Sequence, residues 1–177
     1  MELTDLFNRR LSAEQIRQVI NFIGNDKTRF AKLMSYCFSG NEKTSSNAAN
    51  IAAKISSRYP EIAAAHIPEI IRNLNGTQSG PAFKRHALKI LQQHEIPDKE
   101  TGVLIHLCFE YITGFVEPPA VKAHALTVLY MLSARYPEIR NELKLVIEER
   151  FDNESAAFKS RAKKILKSIL SQRLENA

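Results

Sequence analysis

Cysteines are few in this sequence, and long apolar runs and targeting signals are missing. Its 177 residues contain two cysteines. No apolar run approaches the ~18 residues that a membrane-spanning helix needs, and the N-terminus lacks the basic stretch and apolar core of a signal peptide. Cys37 and Cys108 lie far apart within apolar helical patterns, which favours buried reduced thiols over a disulfide. We therefore expect a cytoplasmic protein without a membrane span.

Recognisable catalytic and metal-binding motifs are also missing. The segment 76–81 lacks the Lys and the following Ser or Thr of a phosphate-binding loop, and neither His-Glu-x-x-His nor Cys-x-x-Cys occurs. His86 and His94 are two helical turns apart, about 12 Å, which is too far to share one ion. His86 and His124 share a repeat position, but a third ligand would be needed, so half-exposed surface histidines are the better interpretation. We predict no catalytic residue, no cofactor and no metal site.

The placement of prolines and capping residues predicts an all-α protein. No segment alternates apolar and polar residues as a strand does, and prolines begin four of the helical patterns, where a missing N–H costs nothing. Pro68 should kink or restart its helix. The predicted helices are 12–23, 26–38, 45–58, 61–74, 81–94, 99–113, 119–135, 137–150 and 155–173, with a short leader at 2–9.

Two repeated motifs predict the architecture. The pentapeptide Arg-Tyr-Pro-Glu-Ile occurs at 58–62 and at 135–139, where it should form a corner between two helices. A second motif places an alanine before paired apolar residues, and its alanines, Ala48, Ala87, Ala125 and Ala162, are 39, 38 and 37 positions apart. This period predicts a single α-solenoid domain, 1–177, of about four stacked antiparallel helix pairs with a C-terminal capping helix. The predicted units are 12–38, 45–74, 81–114 and 119–150, and the predicted cap is 155–174.

Charge varies strongly along the chain. The net charge is +5 over residues 43–94, −5 over 95–154 and +6 over 155–174. Lys84, Lys122 and Lys159 each lie three positions before a repeated alanine, so a solenoid would align them on one face, which we call the lysine ladder. The candidate face for an anion or a partner comprises Lys84, Arg85, His86, Lys122, His124, Lys159, Arg161, Lys163, Lys164 and Lys167. The alternative interpretation is an ordinary solvated face. No aromatic residues alternate with these cations in the sequence, which argues against single-stranded nucleic acid.

The repeat pattern resembles HEAT-like and armadillo-like helical repeats across nearly the whole chain. VKAHALTVLY at 121–130 and SAAFKSRAKKIL at 155–166 resemble a group of small bacterial HEAT-like proteins without an established activity. Some of these proteins carry an adenylosuccinate-lyase label. This chain has no match to the serine-rich, Met-Pro-containing catalytic loop of that lyase family, and it is too short for the long-helix tetramer. Because stacked repeats present extended surfaces and the sequence shows no catalytic grouping, we expect a binding scaffold for a protein or peptide partner, and the oligomeric state stays open.

The chain also resembles the HEAT-like DNA-alkylation glycosylases in architecture and in basic charge. Those enzymes rely on a cleft with tryptophans and on a catalytic Asp. This chain contains no tryptophan, and no particular Asp can be matched to the catalytic one. The alternative function is therefore nucleic-acid binding without glycosylase activity.

Overall fold

The computed structural model describes residues 3–76 and 79–175, and it contains α-helices and no strand over these ranges. The helices are α1 (Leu3–Phe7), α2 (Ala13–Ile23), α3 (Lys27–Cys37), α4 (Glu42–Arg58), α5 (Pro60–Ala64), α6 (Ile67–Leu74), α7 (Pro81–Leu91), α8 (Asp98–Thr113), α9 (Pro119–Leu132), α10 (Glu138–Arg150) and α11 (Ala156–Glu175). The predicted all-α class is confirmed. None of the helices in the described ranges is long and apolar enough to cross a membrane.

The described residues form two compact units, 1–101 and 102–177, and the boundary falls within α8. The division of the chain into four repeat pairs within one domain stays a prediction.

Capping side chains fix where the first helices begin. Ser12 Oγ accepts a hydrogen bond from the Gln15 backbone N–H, and Gln15 Oε1 accepts one from the Ser12 N–H, which completes a capping box. Asn41 Oδ1 accepts from the Thr44 N–H at 2.9 Å. Because Asn41 caps the helix, α4 begins three residues before the predicted position 45.

The predicted helix 61–74 is two helices. Helix α5 ends at Ala64 and α6 begins at Ile67, with Pro68 in its first turn. The predicted restart is confirmed, and it follows from the absence of an N–H on proline. Among the helix ends, α7 ends at Leu91 and α9 at Leu132, each three residues earlier than predicted.

In the first unit, α4 packs against α3 and α7. The repeated alanines at this contact are buried: Ala48 is fully buried, as is Ala52 beside it, and Ala87 is 1% exposed. Small side chains let helix backbones approach closely, while the neighbouring apolar residues fill the space on either side. The repeated alanine is therefore a packing residue, as predicted.

In the second unit, α9 packs against α11 and α10. Ala125 and Ala162 are both fully buried, and so are Leu129 and Phe158. The alanine motif thus has the same role in both units.

The two pentapeptides form the same corner. The Arg58 guanidinium lies 5.3 Å from the Tyr59 ring centroid, and Arg135 lies 5.5 Å from that of Tyr136. In each copy the tyrosine carbonyl accepts a hydrogen bond, at 3.2 Å, from the N–H of the isoleucine three residues later. Both isoleucines are buried. The predicted role of the pentapeptide as a helix corner is confirmed.

Candidate binding surface

Lys122, the middle residue of the lysine ladder, is buried rather than exposed. It is 6% exposed, and its Nζ lies 2.5 Å from Glu154 Oε1. The same oxygen accepts from Arg150 Nε at 3.3 Å. Burial of an ammonium group requires a paired carboxylate, and the segment after α10 supplies Glu154. The expectation that Lys122 lies on an open cationic face is therefore wrong.

Helix α7 carries the first-unit members of the candidate face. Arg85 is exposed and Lys84 is partly exposed. His86 is buried, at 9% exposure, and its Nε2 lies 2.9 Å from Arg85 Nη2. The interpretation as a half-exposed histidine is wrong for His86, whereas it fits His124, which is partly exposed.

Helix α11 carries the most open cations of the second unit. Lys163, Lys164 and Lys167 are exposed, and Lys159 and Arg161 are partly buried. The sequence has no acidic residue between 155 and 174. Lys164 and Lys167 make no ion pair with any side chain in the described part of the chain. This helix therefore presents the three lysines Lys163, Lys164 and Lys167 to the solvent.

Aromatic rings lie beside these cations, although their sequence spacing does not show it. The Lys159 and Lys163 ammonium groups lie 5.9 and 5.8 Å from the ring centroid of Phe151. The Arg150 guanidinium lies 5.1 Å from that of Phe115. These distances are within the range of cation–π attraction. A 3₁₀ turn at Phe151–Asn153 precedes α11 and places Phe151 beside its lysines.

Among the large apolar side chains of the described residues, those with the highest exposed fractions lie in the loop between α8 and α9. Phe115 is 92% exposed and Val116 is 93% exposed. A depression of about 330 Å³ adjoins the loop, lined by Phe115, Lys122, Glu149, Arg150, Asn153 and Glu154. We call the surface formed by Phe115, Val116, Arg150, Phe151, Lys159 and Lys163 the tip patch. In the sequence, Lys159 and Lys163 already belong to the predicted candidate face, and the apolar pair Phe115 and Val116 between Gly114 and Glu117 is the signal of its apolar half.

Neither cysteine offers a reactive thiolate. Cys37 and Cys108 are free and buried, and burial raises the pKa of both thiols above its ordinary value. A neutral thiol is a poor nucleophile and a poor metal ligand. Over the described residues, no three His, Cys, Asp or Glu side chains are grouped closely enough to hold a metal ion.

Comparisons with known proteins bear on the family. No curated protein and no solved structure matches the chain. A sequence model of the family described as HEAT repeat domain matches residues 3–169, which is nearly the whole chain.

Proposed function

Because the chain belongs to the HEAT repeat domain family, we propose that it is a non-enzymatic binding scaffold for a protein or peptide partner. Repeat proteins of this kind use extended helical surfaces for binding. The observation that carries the proposal is the open cationic face of α11, where Lys163, Lys164 and Lys167 are exposed. A surface of one charge sign attracts partners of the opposite sign and accelerates their encounter. The partner we propose is therefore acidic.

The proposed compartment is the cytoplasm. Cys37 and Cys108 are both free, and unpaired thiols are typical of a reducing environment.

Affinity purification of the tagged chain from its own cells tests the scaffold function. The wild type is compared with a variant in which Lys163, Lys164 and Lys167 are all replaced by Gln. In the matched control, Gln replaces Lys27, Lys32 and Lys54, which are exposed lysines of the first unit. We expect an acidic protein to co-purify with the wild type and the control, with or without nuclease, and to be lost from the α11 variant. Equal recovery with both variants would contradict the proposal.

Nucleic-acid binding is the second candidate, and the exposed lysines of α11, Lys163, Lys164 and Lys167, favour it. Lysines bind duplex DNA by neutralising its backbone phosphates. Lys122 is buried, so we count as phosphate contacts the four lysines of α11, which include Lys164 and Lys167. For duplex DNA, four contacts give a slope of about −3.6 when the logarithm of the binding constant is plotted against the logarithm of the salt concentration.

Salt titration of duplex DNA binding tests this candidate. Replacing both Lys164 and Lys167 by Gln should reduce the slope by about two units. Helical content should stay the same, because Lys and Gln have similar helix propensities. A wild type without affinity for DNA or RNA at about 50 mM salt, where such contacts are strong, would eliminate the candidate.

A further inference from the structure

We propose that the tip patch is the docking point for the acidic partner, and that it binds a short segment combining a large apolar side chain with acidic residues. This inference rests on the proposed scaffold function and names the chemistry of its partner.

The apolar half of the patch is open to solvent. Phe115 and Val116 are almost entirely exposed, whereas large apolar side chains on a protein surface are normally half-covered by their neighbours. The loop runs from the end of α8 to Pro118 and Pro119, where α9 begins. The loop is therefore suited to present Phe115 and Val116 to a partner.

The cations beside the loop select acidic groups. Arg150 contacts the Phe115 ring. Lys159 and Lys163 contact the ring of Phe151, which follows Arg150 in the sequence. Because Glu154 is already paired with Lys122 and Arg150, it does not cancel the charge of the two α11 lysines. Aromatic and arginine side chains are also the residues that contribute most to protein–protein binding energy. A partner segment fits this arrangement if its apolar side chain packs against Phe115 and Val116 and its carboxylates lie at Lys159 and Lys163.

Two other occupants fit less well. An anionic lipid surface is broad, so besides the lysines it would also meet Glu117 next to Val116 and Glu149 in the adjoining depression, whereas a short segment can place its carboxylates at Lys159 and Lys163 and avoid both glutamates. Single-stranded nucleic acid gains from stacking on open ring faces, yet Arg150 lies over Phe115, and Val116 has no ring. A protein segment satisfies the apolar and the charged parts together.

Selection from a displayed library of random dodecapeptides tests the inference, followed by anisotropy measurements with a labelled synthetic peptide of the enriched sequence. The variants are Phe115→Ser with Val116→Ser, and separately Lys163→Gln. The control is Leu145→Ser, which changes an apolar side chain of α10 that is 65% exposed and outside the tip patch. Circular dichroism confirms that each variant is folded.

We expect enriched peptides to contain an aromatic or large aliphatic residue beside Asp or Glu. The double tip variant should bind the labelled peptide at least about tenfold more weakly than the wild type, as expected when a central anchor is lost. Lys163→Gln should weaken binding several-fold and reduce its salt dependence, and Leu145→Ser should leave it unchanged.

Three outcomes would overturn the inference: no enrichment, equal affinity of the wild type and the double tip variant, or tip-dependent binding to phosphatidylserine vesicles or oligothymidine instead of peptide. The purification described above separates this inference from the proposed function. A cellular partner that is lost with the α11 lysines but retained by the double tip variant supports the scaffold and excludes the tip patch. Absence of any lysine-dependent partner contradicts the scaffold itself.

Discussion

Replacement of Lys122 by Gln should destabilise the protein far more than the same change at an exposed lysine. The side chains of Lys122 and Glu154 are 7% and 9% exposed, so removing the ammonium leaves a nearly buried carboxylate. Breaking such a pair typically costs about 3–5 kcal/mol. Arg150 remains 3.3 Å from the same oxygen, which places the expected loss near the lower limit, about 3 kcal/mol. For a chain of this length, that corresponds to a melting temperature about 6–12 °C lower.

Thermal and urea unfolding followed by circular dichroism measure the effect. The matched control is Lys164→Gln, because Lys164 is exposed, and its change should stay within about 0.5 kcal/mol. A double variant, Lys122→Met with Glu154→Leu, should recover most of the loss, because apolar replacement of a buried ion pair is often neutral or stabilising. Arg150 can then turn to solvent, since its side chain is already 18% exposed. Equal stabilities of Lys122→Gln and Lys164→Gln would refute the reasoning.

Three further predictions concern the core. Ala125→Leu should cost about 1–3 kcal/mol by overpacking a fully buried helix contact, whereas Ala157→Leu on the exposed side of α11 should be nearly neutral in urea unfolding. Cys37 and Cys108 should not react with a thiol reagent in the native state, and two thiols per chain should react after denaturation. Stability should fall as the pH rises above the ordinary thiol pKa of 9.0, since the unfolded thiols then lose protons that the folded ones retain. Replacement of both cysteines by Ala should reduce this alkaline loss, and an unchanged pH profile would contradict the buried-thiol account.

Much of the fold follows from the sequence because its determinants are local. A proline lacks an N–H wherever it occurs, so Pro68 restarts a helix and Pro60 begins one. The repeated alanines are also predictable, since a helical period of apolar residues around a small one specifies a close contact. The capping residue Asn41 is equally local, and its position before Thr44 could have placed the start of α4.

The candidate surface was less predictable because it depends on contacts between distant segments. Lys122 and Glu154 are 32 positions apart, and no local pattern pairs them. The contacts of Phe151 with Lys159 and Lys163 require the chain to turn between α10 and α11. Sequence spacing places side chains on a helix face, but it does not show whether solvent or a neighbouring segment covers that face.

One repeat position shows how this difference shapes the surface. The residue three before the repeated alanine is Ser45, Lys84, Lys122 or Lys159. Ser45 donates to the Cys37 carbonyl, Lys122 is buried against Glu154, and Lys159 donates to the Asp152 carbonyl while contacting Phe151. In these three cases, the partner lies outside the repeated motif: Cys37 is the last residue of α3, and Asp152 and Glu154 lie between α10 and α11. The helix thus sets the position of a side chain on its face. The segments that pack against this face decide whether the polar group of the side chain is paired within the protein or exposed to solvent. For this reason we place the binding surface at the connections before α9 and α11 rather than along the regular lysine ladder.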